Sequence, residues 1–170
     1  MLNVVILNGG RGASSIIPAL LSRQRLHITS IVNAYDDGKS TGAIRRFFGM
    51  LGPSDIRKVQ ELMLPKDDPE HENYVTLFQY RFPLDCFRED ALEQLKLFLN
   101  SESMELVGIH LNNIRVREKL KSFLAEFLAG LNTIEKARQE EFDFADCSIM
   151  NCLYAGAFLA SNRNIEQATI

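Results

Sequence analysis

The chain has 170 residues, 46% hydrophobic and 24% charged, with a formal net charge of −3. That is room for one domain, 1–170, with a real core, and not for two. The acidic balance supplies no basic field for nucleic acid, no apolar run approaches the roughly 20 residues of a membrane-spanning helix, and Met1-Leu2-Asn3 carries no basic leader. A cytoplasmic protein is expected. Cys86, Cys147 and Cys152, odd in number and without metal or redox spacing, read as three reduced thiols packed as small core residues.

Val4 to Leu7 is an apolar run that enters Asn8-Gly9-Gly10-Arg11-Gly12, followed by Ser14, Ser15 and the periodic set Ile16, Ile17, Leu20 and Leu21. The pattern predicts strand, glycine turn and helix, with Ser14 or Ser15 as N-cap and Pro18 near the first turn, where a missing N–H costs least. Glycines let a backbone approach a ligand, and a helix N-terminus attracts anions, although turn geometry alone also calls for glycine. The full G-x-G-x-x-G fingerprint is absent, because Ser15 stands where the third glycine belongs. Ile28 to Asn33 follows at βαβ spacing and predicts a second, parallel strand.

Next come Asp36-Asp37-Gly38-Lys39-Ser40-Thr41-Gly42. A Walker loop is disfavoured because Asn33 occupies the place of its first glycine. The stretch reads as a loop whose two carboxylates either hold a hydrated magnesium ion or contact a sugar or base; the alternative is one helix cap and one solvated side chain. With Ser40, Thr41, Arg45 and Arg57 nearby in sequence, the pair points to a ligand. After the Gly52-Pro53 turn, Ser54 or Asp55 is expected to cap a helix over Ile56 to Leu64. Arg57 then falls in the first turn, where the helix dipole opposes a cation and a neighbouring anion would favour it.

The segment 65–72, P-K-D-D-P-E-H-E, predicts a charged mobile loop with a solvated His71. Amphipathic helices are expected over Asp85 to Leu99 and Val116 to Leu131. Between them, Leu106 to Leu111 is either a short strand or the tail of a loop, with a structural His110. Arg115, Arg117, Lys119 and Lys121 form either a solvated face or a lid over an acidic ligand. Asp146 to Ala160 is a nearly continuous apolar helix and belongs in a core. Its Asn151 either reaches the crevice of the glycine turn or satisfies neighbouring backbone.

The ordered pieces G-G-x-G, D-D-G-x-S-x-G, G-P-x-D-I-R, Tyr80-Arg81-Phe82 and Asn151-Cys152-Leu153 resemble the CofD/YvcK family. That family includes 2-phospho-L-lactate transferases and nucleotide-sugar-binding YvcK proteins. The resemblance implies an α/β, Rossmann-like three-layer fold with a mostly parallel sheet and an added helical segment over about 84–140, as insertion or lid. Family members continue beyond the asparagine-bearing helix, so an amino-terminal part of that fold and a short relative are both open.

The resemblance also implies a nucleoside-diphosphate or nucleotide-sugar ligand and, for the transferases, magnesium. Carried over by position, Gly9, Gly10, Arg11 and Gly12 with Lys39, Ser40, Gly42, Arg57 and Asn151 would bind the ligand. Asp36 and Asp37 would hold the metal and act in catalysis, with Asp55 assisting an acceptor alcohol. Arg11, Lys39, Ser54, Lys58 and Met150 depart from the family pattern, and the three added cations imply a more anionic or a divergent ligand. The expected activity is transfer of a phosphate-linked group of the 2-phospholactate type; the alternative is a non-catalytic nucleotide-sugar sensor. Neither nucleic acid nor membrane is expected as a partner, and homo-oligomerisation stays open.

Overall fold

The structure is a computed structural model that describes residues 1–10, 12–101 and 109–169; the side chain of Lys39 lies outside that description. Its elements are β1 (Leu2–Asn8), α1 (Ile16–Leu21), β2 (Leu26–Val32), α2 (Lys39–Phe48), α3 (Ser54–Met63), α4 (His71–Gln79), α5 (Arg88–Asn100), α6 (Ile114–Arg138), α7 (Ile149–Ala160) and α8 (Ile165–Ala168).

The two strands pair in parallel, in register from Leu2↔Leu26 to Asn8↔Val32, with α1 as the crossover. The expected βαβ unit is therefore present. Alternation along each strand sends Ile6 and Val32 inward onto Ala13, Ile17 and Val59. The opposite face leaves Val5, Leu7 and Ile31 exposed by 62%, 79% and 53%. Parallel sheets commonly carry helices on both faces; here the small core holds helices on one. The fold is α/β with a small parallel sheet and many helices, consistent with part of a Rossmann-like domain.

The larger core is helical. α7 is apolar all round, ten consecutive residues from Ile149 to Phe158 are buried, and it lies along α6, which contributes Leu124, Phe127 and Leu131. Phe142 and Phe144 meet edge-on at 5.0 Å and join Phe47, Phe48, Phe82 and Phe127 in one aromatic cluster. Cys147 and Cys152 are buried and Cys86 is half-buried, all three as free thiols. Among the described residues no helix is long and apolar enough to cross a membrane.

Several boundaries differ from expectation. Lys39 to Thr41 is not loop but the first turn of α2, with Gly38 as N-cap, because Asp36 Oδ1 accepts from the Gly38 N–H at 3.1 Å and closes a turn there. Pro53, not Ser54 or Asp55, is the cap residue of α3, and Leu64 lies just past its end. The charged loop is shorter than expected, since α4 begins at His71, whose Nδ1 lies 2.9 Å from the Pro65 carbonyl oxygen. α6 runs two turns beyond Leu131, with Ile134 still against the core. Asn113 opens it by accepting from the Arg115 and Val116 N–H groups. Of the expected 106–111 element, 106–108 lies outside the described residues, while Ile109 and Leu111 are buried.

Candidate functional site

A cavity of about 810 Å³, of a size suited to a small ligand, opens between the glycine turn, the first turns of α2 and α3, the end of α4 and the segment entering α7. Helix α3 organises it. Residues three apart share a helix face, so Asp55 and Lys58 look one way, whereas Arg57, two positions after Asp55, points about 200° round the axis.

On the first face, Asp55 and Lys58 lie on the glycine turn. A Cβ at Gly10 would fall 2.7 Å from Asp55 Oδ1 and 2.9 Å from Lys58 Cβ, and one at Gly9 would fall 3.2 Å from Asp55 Oδ2. The glycines are thus required by the close approach of α3. Lys58 Nζ is paired with Glu61 at 3.0 Å, and Glu61 also accepts from Gln79 Nε2 at 2.7 Å.

On the other face, Arg57 Nη1 donates to Ser148 Oγ at 2.7 Å and to the Phe78 carbonyl at 3.0 Å. Its Nε is buried without a partner among the described residues. Burial first, and then the charge of Arg81, lower the Arg57 pKa from the usual arginine value. Arg81 donates from Nε to Asp146 Oδ1 at 2.7 Å and from Nη2 to the Asp146 carbonyl at 2.6 Å and Ser40 Oγ at 3.2 Å. An antiparallel bridge between Arg81 and Ser148 holds the Arg81 segment against the chain entering α7, whose Ser148 side chain accepts from Arg57. Beneath the wall, fully buried Asn151 donates from Nδ2 to Ser40 Oγ at 3.2 Å, and its Oδ1 has no partner among the described residues.

Of the residues expected at a site, Gly9, Gly10, Gly12, Asp36, Ser40, Asp55 and Arg57 line this cavity. Arg11 lies outside the described residues, as does the Lys39 side chain. Asp37 and Gly42 stand off the wall. The Asp37 carboxylate is drawn to Arg45 Nη1 at 3.4 Å and Arg46 Nη1 at 3.3 Å. A Cβ at Gly42 would fall 2.7 Å from Asp37 Oδ1, so that glycine makes room for the ion pair. The basic residues of α6 considered as a lid are absent from the wall. Arg81, Asp146 and Ser148 carry the arginine side of the cleft and were not singled out as site residues; an arginine between two aromatics, Tyr80 and Phe82, was the one sign of it.

Magnesium usually takes one or two carboxylates and completes its shell with water and ligand phosphates. Asp36 and Asp55 on the wall suit that chemistry; Asp37, engaged by two guanidinium groups, does not. Among the described residues no group of three His, Cys, Asp or Glu converges to form an all-protein cage.

A family model described as 2-phospho-L-lactate transferase CofD matches residues 4–146. Curated relatives include the gluconeogenesis factor of Listeria innocua, 43% identical over 82 residues, which is 48% of this chain and 24% of the relative. The Listeria monocytogenes gluconeogenesis factor is 44% identical over the same length. A gluconeogenesis factor of Thermoanaerobacterium thermosulfurigenes, described as putative, is 28% identical over 157 residues, covering 81% of this chain and 46% of the relative. The chain thus spans less than half the length of the relatives it matches. No solved structure gives a significant match. With the family model running through both strands, the glycine turn, α3 and the Arg81 segment up to Asp146, the chain belongs to the CofD family.

Proposed function

We propose that the cleft binds a phosphate-bearing, nucleotide-type ligand and that the chain is a regulatory binding module of the gluconeogenesis-factor kind. The observation that carries this reading is the wall itself: Arg57 and Arg81 face one cavity with Ser40, while Asp37 is withdrawn into an ion pair. Two guanidinium groups in a half-enclosed site suit phosphate oxygens, which accept paired hydrogen bonds. The relatives' shared name, gluconeogenesis factor, supports the same reading.

Transfer of a phosphate-linked group is the second reading, favoured by the description of the matching family model. In it Asp36 and Asp55 would hold magnesium, which supplies charge neutralisation at the diphosphate when bound. The arginines would orient the phosphates, and Asp55 would accept the proton of an acceptor hydroxyl.

Calorimetry with UDP, GDP and a UDP-sugar, with and without magnesium, tests both. Binding with the ligand recovered intact after long incubation supports the regulatory reading, turnover supports transfer, and no binding of any nucleotide removes both. Asp37→Asn is expected to leave affinity within about twofold, since that carboxylate is off the wall. Asp36→Asn keeps the Oδ1 that closes the turn at Gly38 and should weaken magnesium-dependent binding about tenfold, the worth of roughly 1.4 kcal/mol.

A further inference from the structure

We propose that the cleft is polarised across α3: Arg57, Arg81 and Ser40 take the phosphate of the ligand, and Asp55 takes a hydroxyl or N–H of its sugar or nucleoside part. The assignment rests on the nucleotide-type reading above and reverses the orientation that a glycine turn suggests. Three observations carry it.

The first is charge at the turn. Asp55 stands so close to Gly9 and Gly10 that a Cβ there would meet its carboxylate oxygens at 3.2 and 2.7 Å. A phosphate cradled on those glycines would face a like charge, and Lys58, the cation that the described residues place beside them, is already paired with Glu61. A carboxylate in that place accepts from hydroxyl and N–H groups instead.

The second is the helix that follows. α1 has six residues and starts at Ile16, after further turn residues, so the glycine turn does not open directly onto a substantial helix N-terminus. The field that usually draws phosphate to such a turn is correspondingly small.

The third is unmet donor capacity on the opposite face. Arg57 Nε is buried and unpartnered among the described residues, with Arg57 otherwise donating from Nη1. Ser40 Oγ accepts from Asn151 Nδ2 and Arg81 Nη2, which leaves its hydroxyl hydrogen to donate. The 81–148 bridge sets Arg81 beside Ser148, to which Arg57 donates, and Asp146 pairs with Arg81. A phosphate there would gain charge-assisted bonds and offset both the burial and, second to it, the Arg81 repulsion that lower the Arg57 pKa.

The test is calorimetry on the full chain with two probes, pyrophosphate and whichever of UDP and GDP binds. Arg81→Gln should weaken both about tenfold or more. Asp146→Asn removes the competing carboxylate at a backbone φ of 54°, which asparagine tolerates, and should tighten both severalfold, a gain that misfolding cannot produce. Asp55→Asn should weaken the nucleotide about tenfold and leave pyrophosphate within about twofold. Pyrophosphate that fails to bind, ignores Arg81→Gln and Asp146→Asn, or tightens with Asp55→Asn overturns the polarity while nucleotide binding stands. Failure of every nucleotide removes the functional reading and the polarity together.

Discussion

Replacing Gly156 with alanine is expected to lower the melting temperature by about 10 °C or to prevent folding. A Cβ at this position would lie 1.8 Å from the Phe123 carbonyl oxygen, 2.6 Å from its carbon and 3.2 Å from its Cα. All three atoms are backbone of α6, so no side-chain rotation relieves the overlap; the helices must separate. That separation opens the core in which Leu124, Phe127 and Leu153 are buried. Overpacking costs about 1–3 kcal/mol and more where backbones collide. At roughly 2–4 °C per kcal/mol for a chain of this size, about 3 kcal/mol gives the stated shift. Gly130→Ala is the control. Its Cβ would meet Leu159 Cδ1 at 2.3 Å, the far end of a side chain that can rotate, and alanine gains up to about 1 kcal/mol of helix propensity. Far-UV circular dichroism melts of both variants decide the point. A Gly156→Ala protein melting within a degree or two of the parent would mean that α6 and α7 do not meet backbone to backbone.

The elements legible in the sequence are those whose burial is simple. Val4 to Leu7 and Ile28 to Val32 are apolar runs ending in turn residues, and they form the paired strands. Ile149 to Phe158 has no polar face, and it is the central helix. α4 was hidden: Val75 and Thr76 are β-branched, the preceding residues are charged and proline-broken, and its apolar stripe is short. α6 continues past Leu131 because Ile134 still packs on the core and Gln139 in a left-handed conformation, φ 52°, ends it later.

At the site, local grammar marks several of the residues that line the cavity. G-P-S-D-I-R correctly placed Asp55 and Arg57 beside the cleft. Adjacency does not reveal that Asp36 and Asp37 answer to different partners: one closes the turn at Gly38, the other meets Arg45 and Arg46. The glycines at 9 and 10 read as room for a ligand; they line the cavity, and they also admit the close approach of α3. Arg81 depends on Asp146, 65 residues away, and no local spacing announces such a pair.

Loss of the Glu70 side chain should destabilise the protein strongly. It is 8% exposed, and its carboxylate accepts from the N–H groups of Asn112 and Asn113 and from the Tyr74 hydroxyl, the last two at 3.1 Å. It thereby joins the start of α4 to the chain entering α6. Glu70→Ala strands two backbone donors and a hydroxyl; at about 1–3 kcal/mol for each unmet buried group, with water replacing some, a loss of about 3 kcal/mol is expected. The pH dependence follows from the same contacts. Burial raises the Glu70 pKa, but the N–H donors of Asn112 and Asn113 and the Tyr74 hydroxyl outweigh it and hold the pKa below the usual 4.5. Tyr74 itself is pushed up to about 12, by burial first and by Glu70 second, so it remains a donor across this range. A carboxyl with a lowered folded-state pKa stabilises fully above its unfolded value and loses that contribution as pH falls through the folded one. The stability gap between the parent protein and Glu70→Gln should therefore be constant from neutrality down to about pH 5 and shrink below it. Urea denaturation of both proteins at stepped pH measures the gap directly, and a gap that widens on acidification would show that the carboxylate is not the species these donors hold.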